Sequence, residues 1–305
     1  MPITEKQKEL RRKHLGSSDI AAILGLDRYK NAYDVWLDKT GQVEDVKENK
    51  AMQAGTFFED GVLRFAEEIL GPLRRNQYRV ATGFPLASNI DALVVGSDEP
   101  VEAKTAGLFS RLPEDWGDEG TDEIPDYIII QTHVHMLCVE REICHVPTFL
   151  GGRGFQLFRV NWDNEIMDVI RDKSLDFWEN YVETKNPPPD VIPSLEVAKR
   201  MKRELEKVVE IDNQIVQNWL NAKENLKHAE LMKDGAQAEV LAALGDAEAG
   251  KCDLGMVTYF EQQQRRIDSQ RLKDEKPDIA AEYLKVSKFR VARLKKPEPP
   301  KGAIL

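Results

Sequence analysis

Along the first 190 residues the spacing of apolar positions changes several times, and each change marks an element. Lys6 to Lys13 is basic and helix-compatible. It runs into the turn Gly16-Ser17-Ser18-Asp19, where Ser18 or Asp19 is the expected cap of a short helix, Ile20 to Leu24, closed by Gly25. Tyr33 to Lys39 reads as a second short helix ended by Gly41. Residues 52–70 place Phe57, Phe58, Val62, Phe65, Ala66 and Ile69 at helical spacing, which predicts a longer amphipathic helix. Tyr78 to Thr82, Ile90 to Val95 and Val101 to Thr105 have strand character, the last two joined by the turn Gly96 to Pro100. Beyond an acidic loop (107–126), Tyr127 to Val139 reads as a helix. Cys144 to Phe149 and Phe155 to Val160 read as strands joined by Gly151 to Gly154. Asn164 to Tyr181 is a further helix, and Pro187-Pro188-Pro189 marks a boundary.

The pattern then changes character. Leu195 to about Leu244 is charged and helical, with Leu205, Val208, Ile215, Trp219 and Leu226 spaced for one face. Gly235 or Gly245 is expected to turn it into a helical hairpin. Met256 to Phe260 has strand character, and Phe289, Val291 and Leu294, with Arg290 and Arg293, read as a half-buried strand. Two parts result: a mixed α/β region over 1–190, and a C-terminal extension over 191–305 built from a helical hairpin and short strands. No tandem repeat is visible.

Composition sets outer limits. The 305 residues are 41% hydrophobic and 31% charged, enough for one large domain or a domain with an appendage. No apolar run is long enough to span a bilayer, and the opening residues do not read as a signal peptide. Cys138, Cys144 and Cys252 form no C-x-x-C pair, so a disulfide framework or zinc site is not expected and a reducing cytoplasm fits. The net charge of −10 runs against nucleic-acid binding. The charge is uneven, however. Acids crowd Glu114 to Glu123, while bases crowd Arg11-Arg12-Lys13, Arg74-Arg75 and Lys285 to Lys301. A basic channel within an acidic shell remains compatible with DNA.

The chemistry concentrates in Asn89 to Thr105. Glu-x-Lys occurs three times in the chain, but Glu48-Asn49-Lys50 and Glu183-Thr184-Lys185 lie in charged surroundings typical of a solvated face. Glu102-Ala103-Lys104 instead falls on a strand, where alternation places Glu102 and Lys104 on one face. Asp91, on the preceding strand, can face them. Two carboxylates beside a lysine are the makings of a Mg²⁺ site for hydrolysis. A salt-bridged edge hairpin would use the same residues.

Five motifs then follow in order: Arg11 with Ser18, Gly55 with Glu59, Asp91, Glu102-x-Lys104, and Pro125, Tyr127 and Gln131. Together they resemble the YqaJ-type viral recombinases, the lambda-exonuclease-like branch of the PD-(D/E)xK nucleases, over roughly residues 8–190. Gly255 to Phe260, with Arg265, Asp268 and Pro277, is similar to an extension found in phage-related members.

The resemblance implies a restriction-endonuclease-like α/β (α+β) core, a central mixed sheet flanked by helices. It implies a Mg²⁺-dependent 5′-to-3′ exonuclease on double-stranded DNA in phage or prophage recombination, with Mn²⁺ as a substitute and two ions in the site. A homo-oligomer, a ring-shaped trimer, and a single-strand annealing partner are implied as well. Asp91 and Glu102 match the metal-binding acids, the Ala103 carbonyl a backbone ligand, and Glu59 a second-metal ligand or metal-water contact. Lys104 matches the lysine that orients or activates the attacking water, and Gln131 a glutamine near it. Arg11 and Ser18 match positions that bind a terminal 5′-phosphate. An endonuclease on the same core, or a non-catalytic DNA-binding or interaction protein, would share these motifs. On a helix Gln131 and His135 share a face, while His133 points elsewhere; both histidines read as helix polarity rather than a metal pair. The sequence departs from the family at Ala92, where Gly is usual and where a methyl could crowd DNA, and in its charged loop 107–126.

Overall fold

The strand that carries Asp91 runs through the interior of a six-stranded mixed sheet, not along its edge. The computed structural model describes residues 11–46, 50–107, 115–286 and 290–294. In chain order, α1 (Ser17–Ile23), α2 (Ala32–Lys39) and α3 (Lys50–Leu70) precede β1 (Leu73–Val80) and β2 (Ala87–Val94). Two short strands follow, β3 (Pro100–Val101) and β4 (Lys104–Ala106), then α4 (Asp126–Val139), β5 (Ile143–Leu150), β6 (Gly154–Asn161) and α5 (Asn164–Phe177). A π-helical turn, Trp178–Glu183, continues α5, and α6 (Leu195–Arg200) follows. The sheet order is β1-β2-β3-β5-β4, with β6 paired to β5. β1–β2, β2–β3 and β5–β6 are antiparallel, while β5 runs parallel to β3 and β4.

Helices flank the sheet on both faces, as expected. On β5, Cys144, Val146 and Leu150 cluster with Ile128 and Met136 of α4. Phe149 points the other way and stacks with Phe58 of α3. The face of α3 that packs is Leu63 and Ala66, set against Ala92, Val94 and Val101. Of the predicted apolar set, Val62 and Ala66 are buried, whereas Phe57, Phe58 and Ile69 remain exposed. α4 is apolar nearly all round, and such a helix must be buried. Its Ile130, Val134 and Cys138 join a second cluster with Leu15, Ile20, Trp36, Ile170 and Phe177. Full burial of each large apolar side chain here stabilises the fold by roughly 1.5–3 kcal/mol.

The first compact unit runs to Lys207, further than the Pro187–Pro189 boundary. Val197 of α6 is buried in the α1–α2 cluster. The Ser194 amide donates to buried Asp34 at 2.9 Å, and Val43 bridges to Met201. The second unit, Val208–Leu305, holds α7 (Asn213–Leu244), the hairpin β7 (Ala249–Cys252) and β8 (Gly255–Thr258), α8 (Ser269–Glu275) and α9 (Pro277–Glu282). Three expectations are corrected. No helical hairpin forms: α7 passes straight through Gly235, and Gly245 leads into β7. A single internal glycine costs a helix only about 1 kcal/mol, and Ala236, Ala238, Ala242 and Ala243 follow this one closely. The helical stretch predicted from Leu195 is also broken, because residues 203–212 are not helical. Finally, residues 290–294 form no strand, and Val291 and Leu294 are exposed. Phe289, Lys6 to Leu10, residues 108–114, Lys288 and Lys295 onward lie outside the described residues.

A chain ending at Lys207 is expected to unfold cooperatively with the stability of the first unit, whereas one ending at Asp190 loses roughly 2 kcal/mol or more with Val197 and the Ser194 bond. Urea denaturation of the two fragments checks this.

Candidate active site

A break in one strand builds the site. β3 and β4 are consecutive segments on either side of Glu102 and Ala103, and both pair with β5. The Glu102 amide still bonds the His145 carbonyl at 2.9 Å. The Ala103 amide instead donates to Oδ2 of Asp91 at 2.8 Å, so a carboxylate takes the place of a strand partner. Because β2 pairs with β1 on one side and β3 on the other, an edge hairpin is ruled out. Ala92 points away from the acids into the cluster with Leu63, Ala66 and Val101, so its methyl does not face the site.

Glu102 and Lys104 lie together as alternation predicts. Lys104 Nζ donates to Glu102 Oε1 at 2.5 Å and to Gln131 Oε1 at 2.8 Å. On α4, Gln131 is therefore the lysine's second anchor. Burial alone would raise Glu102, but the Lys104 ammonium and His135 outweigh it and hold the carboxyl down at about 2. Burial alone would lower Lys104, but Glu102 and Asp91 outweigh it and raise its pKa, so it is an ammonium at neutral pH. Asp91 carries the cost of this arrangement. Burial and the charge of Glu102 push it well above the ordinary carboxylate range. Glu59, half-buried on α3, is raised by burial and by the same Glu102 charge. Glu59 thus belongs electrostatically to the acid group although it sits on another element.

Among the described residues, no three His, Cys, Asp or Glu side chains converge as a ready-made metal cage. The donor set nevertheless fits Mg²⁺. That ion is commonly held by one or two carboxylates, with water and substrate phosphate completing its shell. Here the charge of buried Glu102 raises the proton affinity of Asp91 beside it, the situation a divalent cation relieves.

Arg11 and Ser18 reach the same place. The segment before α1 is stapled to the start of β2 by Leu15 N to Pro85 O (2.7 Å) and Ala87 N to Leu15 O (2.9 Å). A cavity of about 240 Å³ follows, lined among others by Arg11, Ser18, Lys39, Glu102, Lys104 and Gln131. Tyr78 also lines it, and its buried hydroxyl has no hydrogen-bond partner among the described residues. Asp91 and Glu59 are not in this lining. The cap of α1 is a correction: Gly16 is the N-cap, and Asp19, three residues in, accepts from the Gly16 amide at 2.8 Å. Buried Asp19 also pairs with Lys30 (2.5 Å) and Lys39 (2.6 Å), and Lys39 Nζ donates to the Arg11 carbonyl at 2.7 Å. Although burial would raise it, the two lysines pull Asp19 below the ordinary range. The cavity wall bearing Arg11 and Ser18 is braced by this trio, of which Asp19 and Lys39 are buried.

Sequence reasoning missed Asp19, Lys39 and His135. His135 is fully buried, with Nε2 at 2.9 Å from Glu102 Oε2 and Nδ1 at 2.5 Å from Ser88 Oγ. Its i, i+4 relation to Gln131 was the available signal. His133 is tied elsewhere, to the Ile129 carbonyl and the Asp163 amide. The described part of the acidic loop is folded against β6: Trp116 and Ile124 are buried, and Glu119 accepts from the Leu157 amide.

Comparison with known proteins gives three findings. Residues 7–142 match the family model of the YqaJ-like viral recombinase domain. The protein YqaJ of Bacillus subtilis (strain 168), described as uncharacterized, is 28% identical over 294 residues, covering 92% of this chain and 90% of its own. Among solved structures, an alkaline exonuclease, LHK-Exo, from Laribacter hongkongensis aligns with TM-score 0.46 and 15% identity, over 60% of this chain and 94% of its own. A phage related exonuclease from Haemophilus somnus 129PT aligns with TM-score 0.44 and 15% identity, over 58% and 97%.

Two stability outcomes follow from the charges. Asp19→Asn leaves Lys39 buried without its counter-ion and is expected to cost roughly 3–5 kcal/mol near neutral pH. Because the folded pKa of Asp19 is depressed, its contribution is complete above the unfolded carboxylate pKa and disappears as the pH falls through the folded value. Urea titrations at several pH values measure both. Asp91 behaves oppositely: its proton is bound more tightly in the fold, so without metal the protein loses stability as pH rises through the raised pKa. Asp91→Asn, which keeps an acceptor for the Ala103 amide, is expected to stabilise the chelator-treated protein at pH 7 and above by roughly 0.5–2 kcal/mol. Thermal melts in chelator test this, and an unchanged or lower melting temperature contradicts the assignment.

Proposed function

We propose that this chain, whose residues 7–142 match the family model of the YqaJ-like viral recombinase domain, is a Mg²⁺-dependent deoxyribonuclease that degrades double-stranded DNA from 5′ ends during phage or prophage recombination. The observation that carries this reading is the cavity on which Arg11, Ser18, Glu102, Lys104 and Gln131 converge. A fork of guanidinium donors and a hydroxyl fit a terminal phosphate. An acid and an ammonium beside them fit the phosphodiester to be cut.

Asp91 and Glu102 would hold Mg²⁺, or Mn²⁺ in its place, with the Ala103 carbonyl as a backbone ligand and Glu59 reaching a second ion. When bound, such an ion polarises the phosphate and acidifies water. The chain's own groups do the rest. Lys104, fixed by Glu102 and Gln131, presents a positive charge toward the phosphate where negative charge builds up in the transition state. Since its pKa is raised, it orients water and stabilises charge rather than accepting a proton. Gln131 keeps the ammonium in place. Arg11 and Ser18 set the register by gripping the end. The ring-shaped trimer and the annealing-protein partner rest on the family resemblance, and the cytoplasmic location on the cysteine pattern.

One linear duplex, labelled at either end and carrying or lacking a 5′-phosphate, tests the reading. Mg²⁺-dependent release from the 5′ end, faster with the phosphate, is expected. Arg11→Ala should remove the phosphate preference, and Asp91→Ala, Glu102→Ala or Lys104→Ala should each cut the rate by roughly 100-fold or more. Full activity in any of those three folded variants overturns the site. Cleavage of a covalently closed circle would indicate an endonuclease instead.

A further inference from the structure

Every polar atom of the Glu102 carboxylate and of the His135 ring has a partner in the structure. Glu102 Oε1 takes Lys104, Glu102 Oε2 takes His135 Nε2, and His135 Nδ1 takes Ser88 Oγ. The ring itself is fully buried, and Ser88 is buried beside it. The three residues come from three elements, β2, α4 and the break between β3 and β4. A buried imidazole bonded at both nitrogens cannot rotate without breaking two hydrogen bonds in a dry environment, where an unmade bond is costly. An ionised carboxylate only accepts, so Nε2 carries a hydrogen and donates. In the neutral ring, Nδ1 then accepts from the Ser88 hydroxyl. The Glu102 carboxylate thus fixes the donor that faces it, and Ser88 Oγ holds the other nitrogen of the ring in place.

We infer that His135, oriented by Ser88, is a positioning residue that sets the Glu102 carboxylate for divalent-cation binding. This rests on the reading of Asp91 and Glu102 as metal-holding acids. Lys104 alone leaves Glu102 free to swing about the bond to Oε1. A second donor on Oε2, from a ring that cannot move, fixes the plane of the carboxylate. The unused lone pairs of both oxygens are then held in one direction before any cation arrives. Partners that fix a ligand in this way commonly matter 10–100-fold in metal affinity or activity. His135 is fully buried and is not part of the cavity lining. It acts only through Glu102.

The test is Mn²⁺ affinity of the full chain without DNA, read by electron paramagnetic resonance or calorimetry. It is paired with thermal melts in chelator and with kcat and KM on linear duplex. His135→Ala is expected to weaken Mn²⁺ binding at least tenfold and to lower kcat while leaving KM for DNA within about twofold. His135→Gln, whose amide nitrogen can reach the place of Nε2, is expected to restore most of that affinity. Ser88→Ala should weaken binding less than His135→Ala but in the same direction. If His135→Ala does not fold, the Gln and Ser88 variants carry the comparison. Native Mn²⁺ affinity in His135→Ala overturns the inference, as does a loss in His135→Gln as large as in His135→Ala. So does native affinity in Ser88→Ala together with an unfolded His135→Ala. If the wild-type chain itself binds no Mn²⁺, the metal reading of the acids fails first, and the two failures are told apart.

Discussion

A buried carboxylate at a break in a sheet, with a second, half-buried one bonded to the same break, needs a cation close by if both are to be charged. Lys104 is that cation for Glu102, and the cost left over falls on Asp91. The surrounding structure serves this imbalance. The interruption between β3 and β4 opens the Ala103 amide to Asp91. Gln131 and His135, one turn apart on α4, hold Lys104 and Glu102 from above. Removing Lys104, or the Gln131 or His135 that hold the pair, would leave a buried charge short of partners, which costs more than a bridge on the surface ever contributes.

The scaffold explains how so polar a cluster is tolerated. α4 is apolar on almost every side, so it is locked between the sheet and the α1–α2 layer. Its two polar side chains on the site face are therefore placed with little freedom. A parallel arrangement braces the opposite wall of the cavity. There the Asp19 pair with Lys30 and Lys39 ties α1 to α2 and, through the Arg11 carbonyl, to the segment carrying Arg11. Both walls of the cavity thus rest on buried ion pairs whose worth lies in placement more than in stability.

How much of this was legible in the sequence depended on how local the cause was. The grouping of Asp91, Glu102 and Lys104 followed from strand alternation, a rule of period two that needs no tertiary knowledge. Gln131 and His135 could be put on one helix face by spacing. Spacing could not say that the face was buried against Glu102, so His135 read as ordinary helix polarity. Asp19 looked like a helix cap because its true partners, Lys30 and Lys39, come from later turns of chain. The β3–β4 break was invisible for a similar reason, since an uninterrupted strand and an interrupted one have the same apolar pattern. In the second unit the glycines misled: Gly235 sits inside α7 because its neighbours favour helix strongly enough to absorb it.

The central claim is that Asp91 and Glu102 together form a cation site. Anomalous diffraction from crystals grown with Mn²⁺ tests it most directly. The account predicts a peak ligated by both carboxylates, next to the cavity that Arg11, Ser18 and Lys104 line. No peak there, at Mn²⁺ concentrations that support DNA cleavage, or a peak on other residues alone, would contradict it.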